Sequence, residues 1–277
     1  MPGIQIITDS TAYLESAYLE QYAVKVVPLS IHFNGKVETE GVPGTFESFY
    51  ASLAGSDVFP TTSQPSAGQF LEAYKDSLEN GDEIIVLTIS SGISGTYHSA
   101  CTAAELSGSS DKISVIDSRT TAGNLKGLVE TAVTMAAEGK SREVIVAHLE
   151  SQKNRSGVRL TVETLEYLKK GGRLSNTGAL IGNLLNIKPV LGLIDGTVQP
   201  VAKTRGKKKA IQGMIDAVPE TSFLIHVAHV LSVEEASQVC DQLRVKFPDA
   251  QVILSELGPV IGAHLGPGTL GILYLYK

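Results

Sequence analysis

The chain has 277 residues, 43% of them hydrophobic and 19% charged, which is enough for one large or two medium-sized domains around a buried interior. A formal net charge of −6 and a pI near 5.6 argue against general nucleic-acid binding, because neutralising phosphates requires clustered Lys and Arg. Cys101 and Cys240 lie far apart in helix-like segments, so we predict no disulfide framework, no metal site and a reducing compartment.

The N-terminus leads almost directly into a predicted strand, without a basic segment or an apolar core. We therefore predict no signal peptide and a cytoplasmic protein. Residues 257–276 form the longest weakly charged stretch, but they include His264, two prolines and five glycines, which would interrupt a membrane-spanning helix. We predict that this stretch is buried protein interior.

In the first half of the chain, short apolar runs bounded by turn residues alternate with helix-like stretches. Ser66 and Gln69 have the spacing of a capping box, and Phe70, Tyr74 and Leu78 form one apolar stripe behind it. Such alternation is typical of a parallel sheet covered on both faces. The predicted strands are 4–8, 24–33, 83–89 and 113–117, and the predicted helices are 45–53, 66–78, 96–106 and 121–138.

The second half has a different pattern, with several strands in succession and a hairpin signal at Asp195-Gly196. We predict an α/β protein of two domains: a parallel-sheet α/β domain at residues 1–155 and an α+β domain with a mixed sheet at 156–277. The boundary falls in the charged segment 150–156. The predicted strands of the second domain are 158–162, 189–194, 197–202, 223–230, 251–256 and 269–276, and its helices are 208–217 and 233–247.

Three partial motif matches are excluded by their context. Residues 266–271 match the dinucleotide-binding fingerprint by letters, but a strand rather than a helix follows them. Residues 139–141 (Gly-Lys-Ser) resemble the end of a phosphate-binding loop, but Thr134 occupies the position of its first glycine. A helix stop followed by an N-cap is the better interpretation. The six histidines lack metal-ligand spacing, so we predict no metal and no cofactor.

Two hydroxyl-rich segments are candidate binding loops. Residues 61–66 precede a helix, where hydroxyls and free N–H groups favour an anion, although ordinary helix capping explains them equally well. Residues 90–96 follow a buried strand, which is where ligands bind in α/β sheets, and this explanation is favoured over a plain turn of small residues. They also resemble a nucleophile elbow, but Thr96 replaces the glycine that ends that motif.

Two glycine-rich segments contain the other candidate residues, Arg173 and His264. Residues 167–175 place Arg173 after a helix end and two glycines, which alone indicates a C-cap with solvated charges. In residues 258–268, glycines and prolines surround His264. A histidine in such a setting is often a satisfied core residue, but the glycines also favour close approach of the backbone to a ligand.

Taken together and in order, these segments resemble the DegV family. The resemblance runs from about residue 4 to the C-terminus without large gaps. Each motif alone is weak, but eight in order argue against a chance match. The motifs are Ile-Thr-Asp-Ser-Thr at 7–11, Thr-Ser-Gln-Pro-Ser at 62–66, Ser-Gly-Ile-Ser-Gly-Thr-Tyr at 91–97, Val-Ile-Asp-Ser at 115–118, Tyr-Leu-Lys-Lys-Gly-Gly-Arg at 167–173, Lys-Pro at 188–189, Lys-Thr-Arg-Gly at 203–206 and Gly-Pro-Val-Ile-Gly-Ala-His at 258–264.

This resemblance implies a two-domain fold with one fatty acid bound between the domains. It also implies the role of fatty-acid-binding subunit of a bacterial fatty acid kinase, in phospholipid precursor metabolism. In that system a separate kinase subunit uses ATP to convert the bound acid into an acyl phosphate. By position, the carboxylate contacts would be Thr62 or Ser63, Ser94 and His264, and Arg173 matches an arginine near the binding site.

Elementary energetics fit such a ligand. Burying about fourteen methylenes at about 0.8 kcal/mol each contributes about 11 kcal/mol, far above the roughly 1.5–3 kcal/mol of a charged head-group hydrogen bond. We therefore expect the acyl chain to supply affinity, while His264 and Ser94 orient the carboxylate and leave one oxygen free to react. Residues 179–185 and 190–194 are the predicted chain-lining segments.

The only dense basic run in this acidic chain contains Lys203, Arg205, Lys207, Lys208 and Lys209. One interpretation is a solvated hairpin end. The other is a docking patch, in which Arg205, Lys207 and Lys208 contact an acidic kinase surface, or anionic lipid during a transient membrane contact.

Two other functions stay open on the sequence alone. A serine hydrolase of lipid esters would use Ser94 and His264, with Asp117 completing a triad, but the incomplete elbow at Thr96 argues against it. A structural interaction module would carry no lipid. The preferred hypothesis is a fatty acid carrier that is not an enzyme and has no turnover without its kinase.

Overall fold

The structure, a computed structural model, describes residues 3–56, 58–174 and 187–277. Within these ranges the chain forms three β-sheets with helices packed against them. The strands are β1 (Ile4–Asp9), β2 (Lys25–Val27), β3 (Ser30–Phe33), β4 (Lys36–Thr39), β5 (Thr61–Ser63), β6 (Glu83–Thr88), β7 (Ile113–Asp117), β8 (Ser156–Thr161), β9 (Ile187–Ile194), β10 (Thr197–Arg205), β11 (Ser222–His229), β12 (Gln251–Glu256) and β13 (Leu270–Tyr276). The helices are α1 (Ser16–Tyr22), α2 (Glu47–Ala54), α3 (Ala67–Glu79), α4 (Thr96–Leu106), α5 (Ala122–Ala137), α6 (Arg142–Gln152), α7 (Glu166–Lys170), α8 (Lys207–Asp216), α9 (Val233–Lys246) and α10 (Pro259–Leu265).

The N-terminal half contains a four-stranded parallel sheet in the order β2-β1-β6-β7. Ile85 and Leu87 of β6 pack against α5 and α6, whereas Ile84 and Val86 pack against α3 and α4. Helices on both faces explain why these strands are continuously apolar rather than alternating. The predicted parallel layer is confirmed, and so is the capping box at Ser66.

The C-terminal half contains a six-stranded mixed sheet in the order β10-β9-β8-β13-β11-β12. Helices α8 and α9 cover one of its faces. The other face packs toward Ile89 and Ala122 of the N-terminal half. Asp195 and Gly196 both have positive φ angles, 49° and 77°, in the tight turn that joins β9 to β10 as predicted. The fold class is thus confirmed, while the division at residue 155 stays a prediction.

Three local predictions were wrong. The predicted strand 24–33 is interrupted at Pro28, so that β2 joins the parallel sheet and β3 joins a separate antiparallel sheet in the order β4-β3-β5. The predicted loop 61–66 begins with β5. The structure also has a helix, α10, in the segment around His264, where no helix was predicted.

Helix α10 escaped prediction because every one of its residues is buried. A helix that is buried on all sides has no polar face and gives no amphipathic pattern. Its burial agrees with the prediction that residues 257–276 are protein interior. In the described part of the chain, no helix is long and apolar enough to cross a bilayer.

Candidate functional site

A cavity lies between the carboxyl edge of the parallel sheet and the face of the mixed sheet that α8 and α9 do not cover. The edge where parallel strands end is a common place for small-molecule clefts. Most of its wall is apolar. The apolar lining includes Leu29, Ile89, Val158, Leu160, Leu193, Val198, Ala228, Leu257, Val260, Ile261, Leu265 and Leu273.

Polar side chains from different elements meet on the wall of this cavity. Thr62 comes from β5, Ser94 precedes α4, Arg173 follows α7 and His264 belongs to α10. Thr62 Oγ1 and His264 Nε2 form a hydrogen bond of 2.7 Å, and the tautomer of the ring decides which atom donates. This polar cluster gives an otherwise apolar cavity a set of hydrogen-bond donors.

His264 is 9% exposed, and burial lowers its pKa to about 4, with the positive charge of Arg173 adding to the effect. The ring is therefore neutral at neutral pH. Its Nδ1 atom is buried without a partner among the described residues. A Cβ atom on Gly171 would lie 2.2 Å from Nδ1, so the glycine makes room for the ring. The α7–α10 contact depends on this glycine.

Ser94 lies in the turn between β6 and α4, as a residue following the carboxyl end of a parallel strand. Its hydroxyl hydrogen-bonds with Thr96 Oγ1 at 2.8 Å and accepts a long bond of 3.4 Å from the Thr96 amide. The N-terminus of α4 therefore begins directly beside it, and the positive end of the helix dipole favours an anion there.

Gln64 is a lining residue that the sequence reasoning missed. Its side-chain amide lies so close to Gly95 that a Cβ atom there would be 2.4 Å from Nε2. This close contact joins the β5 segment to the start of α4. The glycine after Ser94 was the available signal, because a glycine in a turn often marks close approach of another group.

Arg173 bridges two parts of the cluster through its guanidinium. Nε donates to the carbonyl of Ile93 at 3.1 Å, and Nη1 donates to the carbonyl of Gly171 at 2.8 Å. Among the described residues it forms no ion pair. Its positive charge acts on His264 and adds to the lowering of the pKa of that ring.

Comparison with known proteins identifies the family. A family model described as an uncharacterised protein of the DegV family matches residues 3–277. The chain belongs to the DegV family. A DegV domain-containing protein of Halalkalibacterium halodurans is 36% identical over 280 residues, covering 98% of each chain.

Two solved DegV family structures are similar over the whole chain. One is DegV of Bacillus subtilis, described as a fatty acid binding protein, with a TM-score of 0.90, 33% identity and coverage of 100% of both chains. The other is a DegV family protein of Thermus thermophilus described for its fatty acid binding. It has a TM-score of 0.89 and 33% identity, covering 99% of this chain and 100% of that one.

Ser63, considered from the DegV resemblance, and Asp117, considered for the hydrolase, do not line the cavity. Ser63 is not among the lining residues, since it alternates with Thr62 along β5 and its hydroxyl pairs with His32 Nε2 at 3.0 Å. Asp117 accepts a 2.5 Å bond from the Ser91 hydroxyl and a 3.0 Å bond from the Ser91 amide. Neither is part of the proposed site.

The basic run is separate from the lining of the cavity. Arg205 and Lys208 are exposed. Lys207 is half-buried, pairs with Glu235 at 2.6 Å and donates to the carbonyl of Gly268 at 3.0 Å. Lys207 thus holds α8 against α9, which favours a structural role for it over the predicted docking contact.

The predicted chain-lining segments have different outcomes. In 190–194, Leu193 lines the cavity, whereas Val190 packs on the opposite face against α8. Residues 179–185 lie outside the described residues. Lining residues from β8, β11 and β13 were not predicted, because alternate residues of each strand face the cavity and the sequence does not say which set does.

Proposed function

We propose that this protein binds one long-chain fatty acid, with the acyl chain in the apolar cavity and the carboxylate at the cluster of Thr62, Ser94 and His264. The observation that carries the proposal is a single cavity that combines an apolar wall with this set of donors. Each buried methylene contributes about 0.8 kcal/mol, so the apolar wall sets the affinity and the donors set the orientation.

The polar cluster suits a carboxylate better than an ester or an alcohol. The hydroxyls of Thr62 and Ser94 can each donate one hydrogen bond to a carboxylate, and the single N–H of the neutral His264 ring can orient Thr62 from Nε2, so no bidentate ion pair locks both oxygens. Arg173 and the start of α4 add positive potential nearby. The fatty acid binding described for the B. subtilis and T. thermophilus relatives supports the same assignment.

The carrier would serve a separate kinase subunit that phosphorylates the bound carboxylate with ATP in the cytoplasm. This step needs an oxygen that is accessible and nucleophilic. Thr62, Ser94 and His264 contact the carboxylate from inside the protein and leave its outer oxygen to the kinase. The carrier itself needs no cofactor in this scheme, and its own residues perform no bond-making step.

We expect the exposed basic residues to contribute to kinase docking. Replacing Arg205 and Lys208 together by Glu should weaken the complex by about tenfold and flatten its salt dependence, because rim charges govern electrostatic steering. Binding would be measured by surface plasmon resonance against the kinase subunit of the same organism. The exposed pair Lys75→Glu and Lys140→Glu makes the same charge change elsewhere and serves as the control. If the two double variants bound the kinase equally well, the basic run would be a solvated hairpin end and not a docking patch.

The alternative function is a serine hydrolase, and the geometry does not favour it. Ser94 Oγ pairs with Thr96 rather than with His264, whose Nε2 pairs with Thr62. The Asp117 carboxylate pairs with Ser91. A triad needs nucleophile, base and carboxylate in hydrogen-bond contact, and these three residues are not connected in that way.

One experiment separates the carrier from the hydrolase. The protein is titrated with a fluorescent long-chain acid and is incubated in parallel with a short-chain ester and a fluorophosphonate probe. We expect saturable binding of the acid at one site, no ester hydrolysis above the buffer rate and no label on Ser94. Labelling at Ser94 that disappears in Ser94→Ala would contradict the carrier assignment.

A further inference from the structure

Helix α10, which carries His264, begins without a cap of its own. Gly258 stands at the N-cap position and has no side chain, and Pro259 follows it. A helix start leaves backbone N–H groups without intrahelical partners, and a buried unpaired N–H is costly. The partner of the Val260 N–H is therefore decisive for where α10 begins.

That partner is a carboxylate from a distant part of the sequence. The Val260 amide donates to Glu40 Oε1 at 2.8 Å, across 220 residues. A Cβ atom on Gly258 would lie 2.6 Å from Glu40 Oε1, so the missing N-cap side chain leaves the space through which the carboxylate approaches. A negative charge at this end of the helix is also favoured by the helix dipole.

Glu40 is fixed from the other side as well. Its Oε2 accepts a 2.6 Å bond from the Ser10 hydroxyl, which in turn accepts from the Leu29 amide at 3.1 Å. Its own amide donates to the Leu29 carbonyl at 2.8 Å. Leu29 and Val260 both line the cavity, so one carboxylate joins two parts of its wall.

We propose that Glu40 is a positioning residue for the head-group site: its carboxylate caps α10 and thereby sets the position of His264. This inference rests on the proposed function for its effect on fatty acid binding. The capping itself concerns only the protein and can be tested without ligand.

The charge of Glu40 changes near neutral pH. Burial raises its pKa to about 7, and the nearby Asp9 carboxylate adds to the increase. The titratable groups that face it are Asp9, whose pKa burial raises to about 6, and the hydroxyls of Tyr13 and Tyr50, whose pKa values burial raises so that they stay neutral. As pH falls through 7, Glu40 becomes neutral and is a weaker acceptor for Val260.

The test compares the wild type with Glu40→Gln, an isosteric change, and with Glu38→Gln, an exposed control two residues away on β4. In the ligand-free wild type, the Val260 amide resonance should titrate with a midpoint near pH 7. In Glu40→Gln that titration should be absent. The wild type and Glu38→Gln should bind a long-chain acid about threefold to tenfold more weakly at pH 6 than at pH 8. Glu40→Gln should lack this difference in affinity between the two pH values.

The pH dependence of the unfolding free energy gives an independent test of the protonation of Glu40. The folded-state pKa of Glu40 is about 7, above the ordinary value of 4.5. Between these values the folded state binds a proton that the unfolded state lacks. Stability relative to Glu40→Gln therefore falls as pH rises through this window, and thermal unfolding at pH 5 and pH 8 measures the difference.

A Val260 amide whose resonance changes with pH in the same way in Glu40→Gln as in the wild type, or a Glu40→Gln variant with the wild-type pH profile of binding, would overturn the proposal. If Glu40→Gln does not fold, the Val260 titration in the wild type decides alone. A protein that binds no fatty acid at any pH would overturn the proposed function. The Val260 titration would still decide whether Glu40 caps α10.

Discussion

Replacing Gly271 by Phe is expected to abolish tight binding of long-chain fatty acids. Gly271 lies on β13 and lines the cavity, and a Cβ atom there meets its nearest neighbours at 3.6–3.8 Å, which is ordinary contact. A phenyl group at this position would occupy space that the acyl chain needs. Displacing about four methylenes costs about 3 kcal/mol, or a little over a hundredfold in affinity. Isothermal titration with saturated acids of increasing length measures the effect, which should be smaller for short acids.

Gly271→Ala is the matched control for that experiment. It adds only the Cβ atom, which fits without a clash, so affinity should stay within a few-fold of wild type. Thermal unfolding of both variants separates lost binding from lost folding. Equal affinities of Gly271→Phe and wild type for long acids would show that the acyl chain lies elsewhere.

Replacing His264 by Ala is expected to remove the preference for a free acid. The wild type should bind a long-chain acid more tightly than its methyl ester, because the ester cannot accept from the cluster as a carboxylate does. Loss of one hydrogen bond to a charged group costs about 1.5–3 kcal/mol, or roughly tenfold to a hundredfold in affinity. This loss should affect binding of the acid and leave binding of the ester unchanged. Competition against a fluorescent fatty acid measures both ligands.

The control for His264 is His148→Ala, an exposed histidine on α6. Because burial keeps the pKa of His264 at about 4, the ring itself stays neutral between pH 6 and 8, and a pH dependence of this effect in that range would come from other groups such as Glu40. Kinase-dependent acyl phosphate formation gives a second readout for the same variant. If His264→Ala kept both the acid preference and acyl phosphate formation, its head-group role would be wrong.

The parts of the fold that the sequence predicted are those with local signals. Buried runs such as Ile84–Leu87 identify strands of a covered sheet, and Asp195-Gly196 identifies a hairpin without further context. Helix α10 and the β4-β3-β5 sheet have no such signal. The first is buried on all sides, and the second consists of strands of three or four residues.

Of the candidate site, the sequence indicated some of the polar residues but neither Gln64, nor most of the apolar lining, nor the arrangement. Thr62, Ser94 and His264 were singled out by their motifs. The bond between Thr62 and His264 spans 202 residues, and only the fold brings the two together. Glu40 was not singled out, because a lone glutamate after an exposed strand gives no signal. Its role depends on Val260, 220 residues away.

The most direct test of fatty acid binding is native mass spectrometry of the protein purified without detergent. We predict one added mass per chain, matching a long-chain acid that organic extraction recovers unchanged. We predict that Gly271→Phe carries no such mass. A protein of bare mass that stays bare after incubation with excess long-chain acid would contradict the proposed function and favour a structural interaction module.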